Sequence, residues 1–133
     1  MARTPKPRPI PESLIARQVA GFLEVALPAG AKFSHIPNGG HRTKAAAGKL
    51  RAEGVRPGIP DVCILVPDVG TIWVELKNSA GRLSPAQAEW AETIARTPRA
   101  AHFVCRSVEE VESALLSCGV QLRATISPKA AHP

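Results

Sequence analysis

An α/β fold, with a central mixed sheet flanked by helices, is predicted by three observations. Residues 62–66 are an unbroken run of β-branched and aliphatic side chains, bounded by Pro60-Asp61 and Pro67-Asp68. Residues 71–77 alternate from side to side in the manner of a second strand. Segments with helical spacing precede and follow this pair, two of them opening on a serine. With 133 residues, 44% of them hydrophobic, the chain can bury one core and is too short for two.

The elements come in this order. Residues 1–10 interleave Pro5, Pro7 and Pro9 with Lys6 and Arg8, an extended solvated arm. Residues 11–27 predict a helix: Pro11 suits its first turn, and Leu14, Ile15, Val19, Phe22, Leu23 and Ala26 recur at helical spacing. Pro28 and Gly30 end it. Lys32 to Pro37 is a short strand, and Asn38-Gly39-Gly40 turns the chain. Residues 42–53 are an alanine-rich, polar, exposed helix or helical loop, broken by Gly54, Pro57 and Gly58. The 62–66 run reads as a strand covered on both faces. Pro67 to Gly70 joins it to the strand Thr71–Lys77. Ser84-Pro85-Ala86-Gln87 opens the next helix, with serine at the cap, proline at the first position and glutamine at the third. Ala101 to Cys105 is a last central strand. Ser107 then caps a helix to about Ser117 whose early Glu109, Glu110 and Glu112 suit the helix dipole, and Gly119 stops it. The domain therefore spans 11–119, between the arm and a tail at 120–133.

Charge narrows the partner. The net charge is +6, and residues 1–60 carry +7 of it while residues 61–133 carry −1. A basic half joined to a near-neutral half suits a polyanion, nucleic acid before lipid. Five aromatic residues and no tyrosine are too few for a base-stacking platform, so phosphate contact is the expected mode. No apolar run approaches the roughly 20 residues of a membrane span, and no secretory leader is recognisable. Three cysteines without a C-x-x-C pair argue against a disulfide framework or a thiolate zinc site, and for a reducing cytoplasm.

The chemistry sits on the two central strands. Asp61 directly precedes the 62–66 run, and alternation places Trp73, Glu75 and Lys77 on one side of the next strand. If the two strands form an antiparallel hairpin, Asp61 meets Glu75 and Lys77 at one sheet edge. Two carboxylates suit Mg²⁺, a hard ion that keeps several waters and needs few protein ligands. Such an ion would bridge Asp61, Glu75, a phosphate oxygen and an attacking water. Lys77 can orient or help deprotonate that water, or offset charge growing on the phosphate. A plain salt bridge is the commoner reading of Glu-x-Lys on a strand taken alone; the chemical reading gains from its context, an acid at the neck of one strand facing an acid–base pair on the next, beside a basic half-chain.

Gly58-Ile59-Pro60-Asp61, Glu75-Leu76-Lys77 and Leu83-Ser84-Pro85-Ala86-Gln87 together resemble the VRR-NUC (virus-type replication-repair nuclease) branch of the PD-(D/E)XK superfamily. His35 to Gly40, Gly48-Lys49-Leu50, Glu53-Gly54-Val55 and Val104 to Ser107 extend the resemblance over about residues 11–117. It implies a restriction-endonuclease-like α-β-β-β-α-β core and Mg²⁺- or Mn²⁺-dependent cleavage of DNA phosphodiesters. The short chain looks like the stand-alone phage and bacterial members, which act as homodimers on branched DNA, Holliday junctions included. By motif position, Asp61, Glu75 and Lys77 are the expected catalytic set, with Gln87 as their companion and Glu12 as the first-helix acid. Asp61, Glu75 and the Leu76 carbonyl are the expected metal ligands.

Ordinary readings stand beside these. Gln87 also completes a capping box with Ser84, and Glu12 also suits a helix start, with Glu24 the other acid on that helix. His35 and Asn38 are candidates to touch DNA or line the site, although Asn-Gly is first a turn signal. Arg42, Lys44, Lys49, Arg51 and Arg56 are the expected phosphate-contacting face. Cys63 and Cys105 read as core, and Trp73 and Trp90 as packing residues. The function expected is a metal-dependent, structure-selective DNA endonuclease, dimeric and without a membrane anchor. A sequence-specific restriction-type nuclease and a catalytically silent DNA-binding module are the alternatives.

Overall fold

The computed structural model describes residues 5, 7–37 and 43–126. Its elements are α1 (Glu12–Ala26), β1 (Lys32–His35), α2 (Lys44–Ala52), β2 (Val62–Val66), β3 (Gly70–Leu76), α3 (Pro85–Ala95), β4 (Ala100–Cys105) and α4 (Val108–Ser117). The predicted Asn38-Gly39-Gly40 turn, and Asn38 and Arg42 as DNA contacts, lie outside the described residues.

The four strands form one mixed sheet in the order β1-β2-β3-β4. β1 to β3 run antiparallel, with His35 opposite Val62 and Val62 opposite Val74. β4 runs parallel to β3, so that Glu75 lies opposite Val104. A parallel neighbour requires a crossover, and α3 supplies it. Among the described residues β4 is the edge strand of the sheet, not the central strand expected from the sequence.

One sheet face carries the core. Ile15, Val19, Phe22, Leu23 and Ala26 from α1 and Val111, Ala114 and Leu115 from α4 pack with Val62, Ile64, Val66, Ile72, Val74 and Leu76. Each Val, Leu or Ile side chain buried this fully contributes about 1.5–3 kcal/mol relative to exposure. The segment after α4 joins the same core through Val120, with Leu122 and Ala124 against it. There the Arg123 N–H donates to the Ala26 carbonyl at 2.7 Å, and the Ile126 N–H donates to the buried Glu112 carboxylate at 2.5 Å.

The other face is only partly covered, chiefly by α3 over β4. β2 alternates buried and open positions instead of being enclosed on both sides: Leu65 is 47% exposed and Cys63 is half-buried. An apolar run proves buried on one face alone because α3 sits over the far strand of its crossover and leaves β2 uncovered. On this open face alternation sets Trp73, Glu75 and Lys77.

Candidate active site

The β2–β3 register brings the two expected carboxylates together. Val62 lies opposite Val74, so Asp61 stands where β2 begins and Glu75 where β3 ends. The Asp61 Oδ2 accepts the backbone N–H of Leu76 at 2.8 Å, which ties the acid to the neighbouring strand's main chain. Lys77 continues the β3–β4 ladder by donating its N–H to the Cys105 carbonyl at 3.0 Å. Its Nζ lies 4.0 Å from Glu75 Oε1, which makes a loose ion pair.

Glu75 is 2% exposed. Its carboxyl is pushed up to about 8, first by loss of water and then by contact with Asp61 and the charge there. Lys77 pulls in the opposite direction, and Glu12 adds a smaller push upward. Its Oε2 is buried with no hydrogen-bond partner among the described residues. The Asp61 contact becomes a hydrogen bond only when a proton is shared, because two ionised carboxylates are both acceptors. A positive charge placed between them would relieve both the repulsion and the lost hydration.

Gln87 both completes the helix cap and reaches the buried acid. Ser84 Oγ accepts the Gln87 N–H, and Gln87 Oε1 accepts the Ser84 N–H at 2.8 Å, a complete capping box. The remaining amide group, Nε2, donates to Glu75 Oε1 at 2.9 Å. The cap thus orients a hydrogen-bond donor toward the buried acid. Close packing holds this helix start in place. Gly58 has a φ of 90° and lies so near Ala86 that a Cβ there would stand 2.5 Å from its carbonyl carbon. Trp90 Nε1 donates to the Pro57 carbonyl at 3.1 Å. Glycine satisfies both the backbone angle and the approach, which accounts for Gly58 three residues ahead of Asp61.

Glu12, in the first turn of α1, also reaches this end of the sheet. A Cβ added to Gly81 would lie 3.2 Å from Glu12 Oε2 and 3.0 Å from Lys77 Cδ, so both side chains converge on that glycine. Asp61, Glu75, Lys77, Gln87 and Glu12 therefore gather at one end of the sheet. Leu76 lies among them with its side chain in the core.

The basic residues separate into two groups. α2 has no buried residue, its N-terminus is capped by Thr43 Oγ1, and Lys44, Lys49 and Arg51 are exposed. Lys44 and Arg51, seven residues apart, share one face of the helix. Arg56 is engaged at the other end, where its guanidinium donates to the Arg51 carbonyl at 2.9 Å and to that of Val55. His35 is exposed at the same sheet end as Asp61, and the Ile36 N–H beside it donates to the Asp61 carbonyl. By register with Val62 it belongs to the opposite face from Glu75.

With this geometry in view, the family match is decisive: the VRR-NUC domain model matches residues 23–109. The chain belongs to the VRR-NUC family. Membership makes it a nuclease domain, hence a hydrolase. Two solved structures share the VRR-NUC fold. One, described as a VRR_NUC domain protein, superposes with a TM-score of 0.63 at 22% identity, over 80% of this chain and 85% of that one. The second, described as a VRR_NUC domain, gives 0.53 at 20% identity, over 80% and 94%. No curated protein matches the sequence. The matched segment contains Asp61, Glu75, Lys77 and Gln87 but not Glu12, which joins the group through the packing of α1. Among the described residues no helix is long and apolar enough to cross a membrane.

Sequence reading missed Arg106. Its guanidinium donates to the carbonyls of Asn78 and Gly81 in the segment just after Lys77. A contact spanning 25 to 28 residues has no local pattern to announce it. The only signal was its position after β4, in the Val104 to Ser107 stretch.

Proposed function

We propose that this VRR-NUC domain is a divalent-metal-dependent, structure-selective DNA endonuclease that acts on branched substrates such as Holliday junctions as a homodimer. The observation that carries this reading is the Asp61–Glu75 pair beside Lys77, with Glu75 almost completely buried and one of its oxygens unpartnered among the described residues. The donor set fits Mg²⁺ or Mn²⁺. Those ions accept one or two carboxylates plus water, whereas no group of three or more His, Cys, Asp or Glu side chains poised to hold a metal occurs among the described residues. Asp61, Glu75 and the Leu76 carbonyl would hold the ion. Bound there, it supplies Lewis acidity and positive charge to a phosphodiester.

The chain's own residues do the rest. Asp61 is fixed by the Leu76 N–H and Glu75 by the Gln87 amide, so both acids are set before substrate arrives. Lys77 presents an ammonium beside Glu75 that orients the attacking water or offsets charge on the phosphate. Lys44, Lys49 and Arg51 on exposed α2 hold the flanking backbone. Among the described residues the loops are short and carry no recognition insert, which favours reading DNA shape over base sequence. Two-fold symmetry would set two sites across a junction.

A cleavage panel tests this reading. Junction, flap, nicked and linear DNAs are incubated with the protein in Mg²⁺ or Mn²⁺. Branched DNA should be nicked, and Asp61→Asn or Lys77→Ala should stop cutting while sparing binding. Failure of the wild type to cut any of these DNAs with either ion defeats the proposal.

A further inference from the structure

Lys77, one residue past the end of β3, still donates its N–H to the β4 carbonyl of Cys105, and the chain after it packs against its side chain. The chain turns at once: the Ala80 N–H donates to Asn78 Oδ1 at 3.0 Å, and the Gly81 N–H donates to the Asn78 carbonyl at 3.1 Å. This small loop lies against the Lys77 stem and the Glu12 carboxylate, with Gly81 at the meeting point. Two carbonyls of the loop, those of Asn78 and Gly81, are taken by one guanidinium nitrogen of Arg106, the second at 2.8 Å. Arg106 is exposed, and its backbone is anchored at the start of α4. Its N–H donates to Glu110 Oε1, and Ser107 Oγ caps α4 immediately after it by accepting the Glu110 N–H.

We propose that Arg106 is a positioning residue for the cleavage reaction, stapling the Asn78–Gly81 loop so that Lys77 and Glu12 are held beside Glu75. The proposal rests on the nuclease reading, in which Lys77 takes part in cleavage. The guanidinium touches no acid of the site; it acts through the backbone of the loop. Gly81 completes the device from the other side. Its φ lies outside the left-handed region, so alanine fits the backbone there, yet a Cβ would stand 3.0 Å from Lys77 Cδ. Gly81→Ala therefore pushes on Lys77 and Glu12 without straining the chain.

The test uses full-length Arg106→Ala, Arg106→Lys and Gly81→Ala, each first checked for native circular dichroism and thermal midpoint. Two readouts are taken: single-turnover cleavage across pH, and amide hydrogen exchange at Ala80 and Gly81. Arg106→Ala should lower kcat about 10- to 100-fold, since small displacements at a reacting centre cost that much. KM and DNA affinity should stay within about threefold, because the missing interaction is not with substrate. Arg106→Lys, which keeps a donor, should recover part of kcat, and Gly81→Ala should mimic the loss. Exchange at Ala80 and Gly81 should quicken in Arg106→Ala. A folded Arg106→Ala that cuts within threefold of wild type, or that leaves loop exchange unchanged, overturns the proposal. If Arg106→Ala does not fold, Gly81→Ala decides: unchanged kcat overturns the proposal and reduced kcat at constant KM supports it. A wild type that cuts nothing while Arg106→Ala still frees the loop would defeat the nuclease reading and leave the staple demonstrated.

Discussion

Replacing Glu75 with glutamine should stabilise the metal-free protein, and by an amount that depends on pH. The Glu75 carboxyl is raised from 4.5 to about 8, so the unfolded chain loses this proton several units before the folded one does. The sign is set by linkage. Below pH 4.5 both states hold the proton and Glu75 exacts no penalty. As pH rises toward 8 the folded state must either keep a proton the unfolded state releases or bury a charge, and stability falls. At about 1.4 kcal/mol per pH unit, the cost by pH 8 is on the order of 4 kcal/mol. The glutamine amide of the Glu75→Gln variant removes the titration, keeps an oxygen for the Gln87 Nε2 donor and offers an N–H to Asp61. For a domain of this size the gain corresponds to a rise in midpoint of roughly 10 °C or more at pH 8, shrinking to little below pH 5. Thermal unfolding in EDTA across pH 4.5–8 measures it. Adding Mg²⁺ or Mn²⁺ should raise the wild-type midpoint and leave Glu75→Gln nearly unmoved. Parallel wild-type and variant curves over this range would refute the idea that burial beside Asp61 governs Glu75.

Other outcomes rest on the same contacts. Gln87→Ala should cost about 1 kcal/mol through the broken capping box and also lower kcat, whereas Ser84→Ala should show the stability loss with a smaller loss of activity. Gly58→Ala should destabilise by roughly 2–4 kcal/mol, because the φ of 90° and the approach to Ala86 both exclude a Cβ; a normal urea midpoint would contradict this. Replacing Lys44, Lys49 and Arg51 by alanine should reduce the slope of log affinity against log salt by about 0.9 for each phosphate no longer neutralised, with kcat preserved. Burial pushes the Cys105 thiol up to about 12, Glu110 adding to the effect, so iodoacetamide at pH 8 should spare Cys105 in the folded protein and modify it only in urea.

Much of the candidate site's geometry was legible because its parts are local. Asp61 at the start of an apolar run and Glu75 at alternating spacing are strand facts, and one antiparallel pairing joins them. Ser84 and Gln87 are a helix-start fact that the structure extends to Glu75. The reach of Arg106 to Asn78 and Gly81 was not legible, because it depends on the ends of two parallel strands lying side by side. The openness of β2 at Leu65 was hidden for a similar reason. An apolar run reports how a strand could be buried, while the crossover decides where α3 goes. Similarly, β4 reads as central from its side chains, but among the described residues no further strand pairs with that edge.

The Asp61 carboxylate hangs on a backbone amide of the strand next door, with no side chain as intermediary. The spacing of the two acids is thus set by the same β2–β3 ladder that carries much of the core. Opening that ladder would separate Asp61 from Glu75 at the moment it exposes Ile64 and Ile72, so acid pair and core form one cooperative unit. Heating should then hold the two acids in register up to the global transition and lose register and core together. No intermediate temperature would yield a folded chain with slackened acids, and any survivor of a heat pulse would be fully competent.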